Sequence, residues 1–153
     1  MYGDSSNSAS VAFEANIDST YQNYVVIGSA IVTVSDGNNL YVATGTGATP
    51  TYATSYDYHI SIPTSNAHTY NGFGFNASAS PIVLHGVGNA SGEGGGFVLY
   101  MYNPSGTTMD TVLSSTGTCH DETSYAKQNT MAMVYPATTA VTAIKFTFAT
   151  GNI

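Results

Sequence analysis

The chain has 153 residues, a net charge of −7 and only 7% charged residues, with Lys127 and Lys145 as its two cations. Phosphate binding needs several lysine or arginine contacts, so this composition argues against a nucleic-acid partner and against an anionic membrane surface. We expect a polar surface of Ser, Thr, Asn and Tyr side chains, which has few charges to keep neighbouring molecules apart.

The length fits one domain, which we place at residues 11–153 after a flexible polar arm at residues 1–10. The arm lacks the positive and apolar stretches of a secretion signal, so we expect none. Cys119 is the single cysteine, so the chain cannot form an internal disulfide. No run approaches 18 consecutive apolar residues, and we therefore expect no membrane-spanning segment.

Thr, Val, Tyr, Ser and Gly dominate the chain, and short apolar or alternating runs are separated by turn-forming residues. Nine strands are predicted, at residues 10–14, 23–34, 40–44, 55–62, 82–87, 96–102, 109–116, 130–135 and 142–148. This number and spacing predict an all-β fold, a jelly-roll-like antiparallel β-sandwich with little or no helix.

Two short segments carry strong turn signals. Residues 36–38 (DGN) are predicted to form a hairpin turn between the second and third strands, since Gly and Asn accept positive φ. Calcium binding there is disfavoured because the further oxygen ligands and the closing Glu of a calcium loop are missing. Residues 71–72 (NG) are also predicted to form a turn.

The glycine run at residues 92–96 (GEGGG) precedes the sixth predicted strand. A phosphate-binding loop is disfavoured because the run lacks a lysine, leads into a strand rather than a helix, and contains Glu93, which would repel a phosphate. We predict a loop at the rim of a sheet.

The strand at residues 96–102 is apolar on both faces. Alternation places Phe97, Leu99 and Met101 on one face and Val98, Tyr100 and Tyr102 on the other. Such a strand either lies centrally in the domain or turns its outer face to another subunit. Tyr100 and Tyr102 are the candidate interface residues, because tyrosine combines a large apolar body with a polar tip.

The densest group of reactive side chains is at residues 119–122 (CHDE). Neighbouring residues of an extended chain point to opposite faces, so His120 cannot activate Cys119 as a nucleophile. Nothing in the sequence brings the other histidines to this group; they are His59, His68 and His85. No zinc-binding spacing occurs. We predict a polar turn, with no catalytic residue, no metal and no cofactor, although carboxylates that meet only in the folded chain remain an open alternative.

Three segments carry a joint pattern: SVAFEANIDSTYQNYVVIGSAIVTVSDGNNLYV at residues 10–42, GVGNASGEGGGFVLYMYNPSGTT at 86–108 and ATTAVTAIKFTFATGNI at 137–153. Together they resemble a family of small β-rich structural proteins of tailed bacteriophages, common among marine ones. The resemblance implies a virion protein on the capsid surface, a decoration or cement protein that binds the major capsid protein. It also implies a homotrimer or another symmetric oligomer, without catalytic residues.

Two other classes of function remain open. One is a receptor-binding module of a tail fibre or spike, with carbohydrate as its ligand, because tyrosine rings stack on sugars. The other is a polysaccharide-degrading domain, which requires carboxylates that converge in a cleft. The chain also departs from the family at Ile153, where the family pattern continues into a further strand. We therefore expect an open sheet edge beside the strand at residues 142–148, which a neighbouring subunit fills.

Overall fold

A computed structural model of the chain describes residues 8–66, 69–78 and 80–153. The described residues form eleven strands rather than nine, and none of them lies in a helix. The strands are β1 (Ser10–Phe13), β2 (Asn23–Ile31), β3 (Asn38–Thr46), β4 (Thr51–Tyr52), β5 (Tyr56–Pro63), β6 (Thr69–Ala77), β7 (Ile82–Val87), β8 (Gly94–Tyr102), β9 (Thr111–His120), β10 (Ala126–Tyr135) and β11 (Val141–Phe148).

The strands form two antiparallel sheets that pack against each other. Sheet A has the order β1-β11-β3, and both β4 and β7 pair with the far edge of β3. Sheet B has six strands in the order β2-β8-β9-β10-β5-β6. The chain changes sheet repeatedly, as in a jelly roll, while β8, β9 and β10 follow one another within sheet B. The predicted β-sandwich is confirmed.

The core lies between the inner faces of the two sheets. Its largest buried side chains include Val42, Leu84, Ile144 and Phe146 from sheet A and Leu99, Met101, Leu113 and Met133 from sheet B. The rings of Phe97 and Phe146 meet across the two sheets with centroids 5.1 Å apart. Burying each large apolar side chain contributes roughly 1.5–3 kcal/mol, so the core is the main source of stability.

The predicted hairpin at residues 36–38 is wrong. Strands β2 and β3 lie in different sheets, so this segment carries the chain from one sheet to the other. Gly37 has a φ of 67°, so the positive φ was predicted correctly. The turn chemistry is the same in a hairpin and in a crossing between sheets, and only long-range pairing distinguishes them.

The predicted turn at residues 71–72 is also wrong, because both residues lie inside β6. This strand pairs with β5 over most of its length and forms one edge of sheet B. The two-residue strand β4 was likewise not predicted.

The expected open edge beside the last strand is absent. Strand β11 pairs with β1 on one side and β3 on the other, so its own chain covers both edges. Of the predicted arm at residues 1–10, residues 1–7 lie outside the described residues, and Ser10 is the first residue of β1.

Candidate functional site

The outer face of sheet B is the candidate functional surface, and strand pairing arranges its side chains in three rows. The central row runs Val25, Tyr100, Ser114, Ala132, His59 and Phe73 across all six strands. A second row runs Ile27, Val98, Thr116, Thr130, Ser61 and Asn71. A third row runs Asn23, Tyr102, Val112, Val134 and Asp57. We call these three rows, with Phe75 beside them on β6, the outer face.

Large apolar side chains on the outer face are exposed to solvent. Phe73 and Phe75 have exposed fractions of 83% and 81%, and Ile27 has 72%. Val25 and Val112 are also exposed. Single exposed apolar residues are ordinary on a protein surface, whereas a contiguous group marks a binding surface or an aggregation hazard.

Tyr100 and Tyr102, the predicted interface residues, both lie on the outer face. Their exposed fractions are 46% and 42%, and their rings stack with centroids 6.3 Å apart. The Tyr102 hydroxyl lies 3.3 Å from Ser114 Oγ. Leu99 lies on the opposite side of β8, the division into faces that the alternation predicted, and that side is buried in the core. The two rings therefore form one ordered aromatic surface. Fixing these tyrosine side chains against a partner would cost little conformational entropy.

The outer face is nearly free of formal charge. Asp57 is the only carboxylate in the three rows, which contain no lysine or arginine. Asp57 lies near the β6 edge and its carboxylate accepts a hydrogen bond from the Asn76 backbone N–H at 2.7 Å.

Sheet A has a different outer surface. Lys145 Nζ lies 3.9 Å from the centroid of the Tyr52 ring, and the Tyr52 hydroxyl donates a 2.7 Å hydrogen bond to Glu14. Burial raises the pKa of Tyr52, and its hydrogen bond to Glu14 raises it further. The outer surface of sheet A therefore carries charged side chains, whereas the outer face of sheet B carries almost none. Only the outer face of sheet B is suited to close contact with a partner that supplies no opposite charges.

Sequence reasoning missed the contribution of β6. The alternation of glycine and phenylalanine at residues 72–75 is a strand pattern, and it could have outweighed the Asn-Gly turn signal. A Cβ at Gly72 would lie 2.9 Å from Ile60 Cδ1, and one at Gly74 would lie 2.7 Å from Tyr58 Cε1. Both glycines thus leave room for side chains of β5 on the inner side, while the phenylalanines project outwards.

The densest polar cluster joins the β9–β10 turn to β10. Lys127 Nζ lies 2.9 Å from Asp121 Oδ2 and 3.7 Å from Glu122 Oε2, with Asp121 and Lys127 both buried. Asp121 Oδ1 also accepts hydrogen bonds from the backbone N–H groups of Thr123 and Tyr125 and from the Thr123 hydroxyl. Burial opposes ionisation of Asp121, but these hydrogen bonds and the one from Lys127 outweigh it and lower its pKa to about 2. The cluster holds the turn in place.

Cys119 is not arranged as a nucleophile. Its thiol donates a 3.5 Å hydrogen bond to the backbone carbonyl oxygen of His85, rather than to an imidazole nitrogen. Burial raises the pKa of Cys119, which favours the inert thiol over the reactive thiolate. Burial also lowers the pKa of His85, and Lys127 lowers it further. His120 Nε2 lies 2.7 Å from the Ser124 carbonyl oxygen.

The other histidines do not complete a reactive group with Cys119. His59 lies on the outer face of sheet B, and His68 lies outside the described residues. Within the described part of the chain, no three His, Cys, Asp or Glu side chains are grouped so that they could hold a metal ion. A cavity of about 230 Å³ is bordered by Tyr70, His85, Asp121 and Lys127. Its two charged side chains already pair with each other.

The glycine run at residues 92–96 is only partly the predicted rim loop, because Gly94 and the two glycines after it begin β8. A Cβ at Gly95 would lie 2.7 Å from the Thr118 carbonyl oxygen. Glycine is therefore required here by the close approach of β9, rather than by a ligand.

No protein-family model, curated protein or solved structure matches the chain. In the residues that the structure describes, no helix is long and apolar enough to cross a membrane.

Proposed function

We propose that the protein is a structural component of a bacteriophage virion, a capsid decoration protein that works by adhesion to neighbouring protein surfaces. The observation that carries the proposal is the outer face of sheet B, where exposed apolar and tyrosine side chains lie on β2, β8, β9 and β6, and where the three rows contain one carboxylate and no lysine or arginine. The proposal contains no catalytic step.

The composition of the outer face supports protein contact. Interface cores are enriched in aromatic residues and depleted of Lys, Glu and Asp relative to the remaining surface. Binding energy concentrates in a few large side chains, with tyrosine among the most common. Tyr100, Tyr102 and Ile27 have the size and exposure for this role.

The capsid as the place of action rests on the resemblance of three segments to virion proteins of tailed phages. A β-sandwich is the fold that the resemblance implies. The proposed partners are the major capsid protein and further copies of the chain in a symmetric oligomer, because a lattice repeats the same contact at every equivalent position. Many modest contacts would then stiffen the shell.

Quantitative mass spectrometry of purified particles tests this proposal. A decoration protein is expected on the order of hundreds of copies per particle, since it follows the symmetry of the capsid lattice. The absence of the protein from purified particles would contradict the proposal.

The two most exposed aromatic rings favour one second candidate, a receptor-binding module of a tail fibre or spike. Phe73 and Phe75 project from the edge strand β6 with most of their surface open to solvent, where a ring can stack on a sugar. A fibre component is expected in a few to some tens of copies, roughly a tenth of a decoration protein. Selective binding on a glycan array, together with low copy number, would replace the first candidate by this one.

A further inference from the structure

We propose that the outer face of sheet B is covered by a second copy of the same chain, packed face to face about a two-fold axis. This inference rests on the proposed adhesive function and assigns the outer face to contact between copies of the chain, so that contact with the major capsid protein falls to other surfaces of the dimer. It assigns to Tyr100 and Tyr102 a contact with another subunit.

The outer surface of sheet B, of which the outer face is the middle part, reaches the lower end of the area that a stable dimer needs. Six strands spaced about 4.8 Å apart span about 24 Å, and strands of nine residues extend about 26 Å. The outer surface of the whole sheet therefore covers on the order of 600 Å² on each copy and about 1,200 Å² for the pair, the lower bound of specific interfaces. Two twisted sheets pack well in this way at about −30°, as the two sheets of a sandwich do.

The near absence of charged side chains favours the outer face for contact between identical chains. Each copy carries a net charge of −7, so two copies repel wherever carboxylates approach one another. The outer face brings together only Asp57, which lies at its rim near β6, and otherwise uncharged side chains. The outer surface of sheet A differs, since Lys145 Nζ lies there over the Tyr52 ring and Glu14 accepts the hydrogen bond of the Tyr52 hydroxyl.

A two-fold axis through the middle of the central row would place its ends against ends and its centre against the same centre. Large side chains lie at the two ends of the row, Val25 and Tyr100 at one end and Phe73 at the other. Small side chains, Ser114 and Ala132, lie at its centre. An isologous contact uses the same patch on both subunits, so a single uncharged face is sufficient and no second complementary surface is needed.

Sedimentation equilibrium of the 153-residue chain tests the inference with two matched variants. Ala132→Glu places a carboxylate at the centre of the outer face, whereas Ala12→Glu places one on an exposed strand position on the opposite side of the molecule, where Ala12 pairs with Lys145. The wild type and Ala12→Glu are expected to have twice the mass of one chain at micromolar concentration. Ala132→Glu is expected to dissociate at least about 100-fold more readily, because the contact buries an unpaired charge.

Circular dichroism of both variants reports whether they fold, and Thr116→Glu in the neighbouring row repeats the test if Ala132→Glu does not fold. A wild type that is monomeric at about 100 µM would overturn the inference. So would an odd stoichiometry, or equal dissociation of Ala132→Glu and Ala12→Glu.

Binding to purified particles separates this inference from the proposed function. A chain that is monomeric but binds particles through the outer face contradicts the second copy and leaves the virion role standing. A dimer broken by Ala132→Glu that is absent from particles supports the second copy and contradicts the virion role.

Discussion

Asp121 is the residue on which the β9–β10 turn most depends. One carboxylate oxygen binds Lys127 at 2.9 Å, and the other accepts hydrogen bonds from Thr123 and Tyr125. A buried ion pair by itself is weak evidence for stability, but removal of one partner is costly because a charge is left unpaired.

Asp121→Ala is expected to lower the free energy of unfolding by about 3 kcal/mol, because it leaves buried Lys127 with Glu122 alone at 3.7 Å and frees the turn. Urea denaturation measures the change. Asp110→Ala is the matched control, since it removes the same charge at an exposed position and is expected to change stability by less than about 0.5 kcal/mol. Equal effects of the two substitutions would show that the cluster does not stabilise the turn.

The contribution of Asp121 is expected to depend on pH. Its pKa is lowered from 3.8 to about 2 in the folded chain, so the unfolded chain binds more protons between these values. The stabilisation is therefore complete above about pH 4 and is lost as the pH falls towards 2. Urea midpoints of the wild type and Asp121→Asn are expected to converge over this range. A constant difference between them would contradict the assignment.

Among the elements, β8 and β6 illustrate how one sheet has a buried face and an exposed face. Leu99 of β8 is fully buried in the core, whereas Phe73 and Phe75 of β6 project into solvent. Sequence hydrophobicity alone does not separate these roles, since all three side chains are large and apolar.

The double substitution Phe73→Ser and Phe75→Ser is expected to change the free energy of unfolding by less than about 0.5 kcal/mol per site, because neither ring is buried. The same variant is expected to weaken self-association, because both rings lie on the outer face. Leu99→Ala is the core control, with an expected loss of about 3 kcal/mol. Urea denaturation at low protein concentration gives the stabilities, and sedimentation gives the association. A large loss of stability in the double variant would place β6 in the core.

The sequence predicted those elements in which local pattern and final environment agree. Alternation in residues 96–102 predicted how β8 divides its side chains between two faces, and the turn-rich strand pattern predicted the β-sandwich. The Asn-Gly signal at residues 71–72 failed because pairing with β5 outweighed a local turn preference.

Long-range arrangement was beyond sequence reasoning. The pairing of Asp121 with Lys127 depends on the geometry of the turn that joins β9 to β10, and neither residue has a distinctive motif. The outer face required the order of six strands, because its central row joins residues from Val25 to Ala132 that are distant in the chain. The segment at residues 36–38 crosses between the sheets, but its residues also suit a hairpin turn. Only the order of the strands in the two sheets distinguishes these possibilities.

At the scale of the whole molecule, the two sheets differ in what they offer to a partner. Sheet A has an outer surface with Lys145, Tyr52 and Glu14 in contact, whereas sheet B has an outer face with stacked tyrosines and exposed phenylalanines. A chain with a net charge of −7 has few ways to approach copies of itself or an acidic surface, and an uncharged face is one of them.

A cryo-electron microscopy reconstruction of purified particles that contain the protein tests most directly whether the outer face is a contact surface. We expect the outer face of sheet B to be buried in every copy, with Tyr100 and Ala132 against a second protein surface. Density in which this face points into solvent, while the outer surface of sheet A makes the contacts, would contradict it.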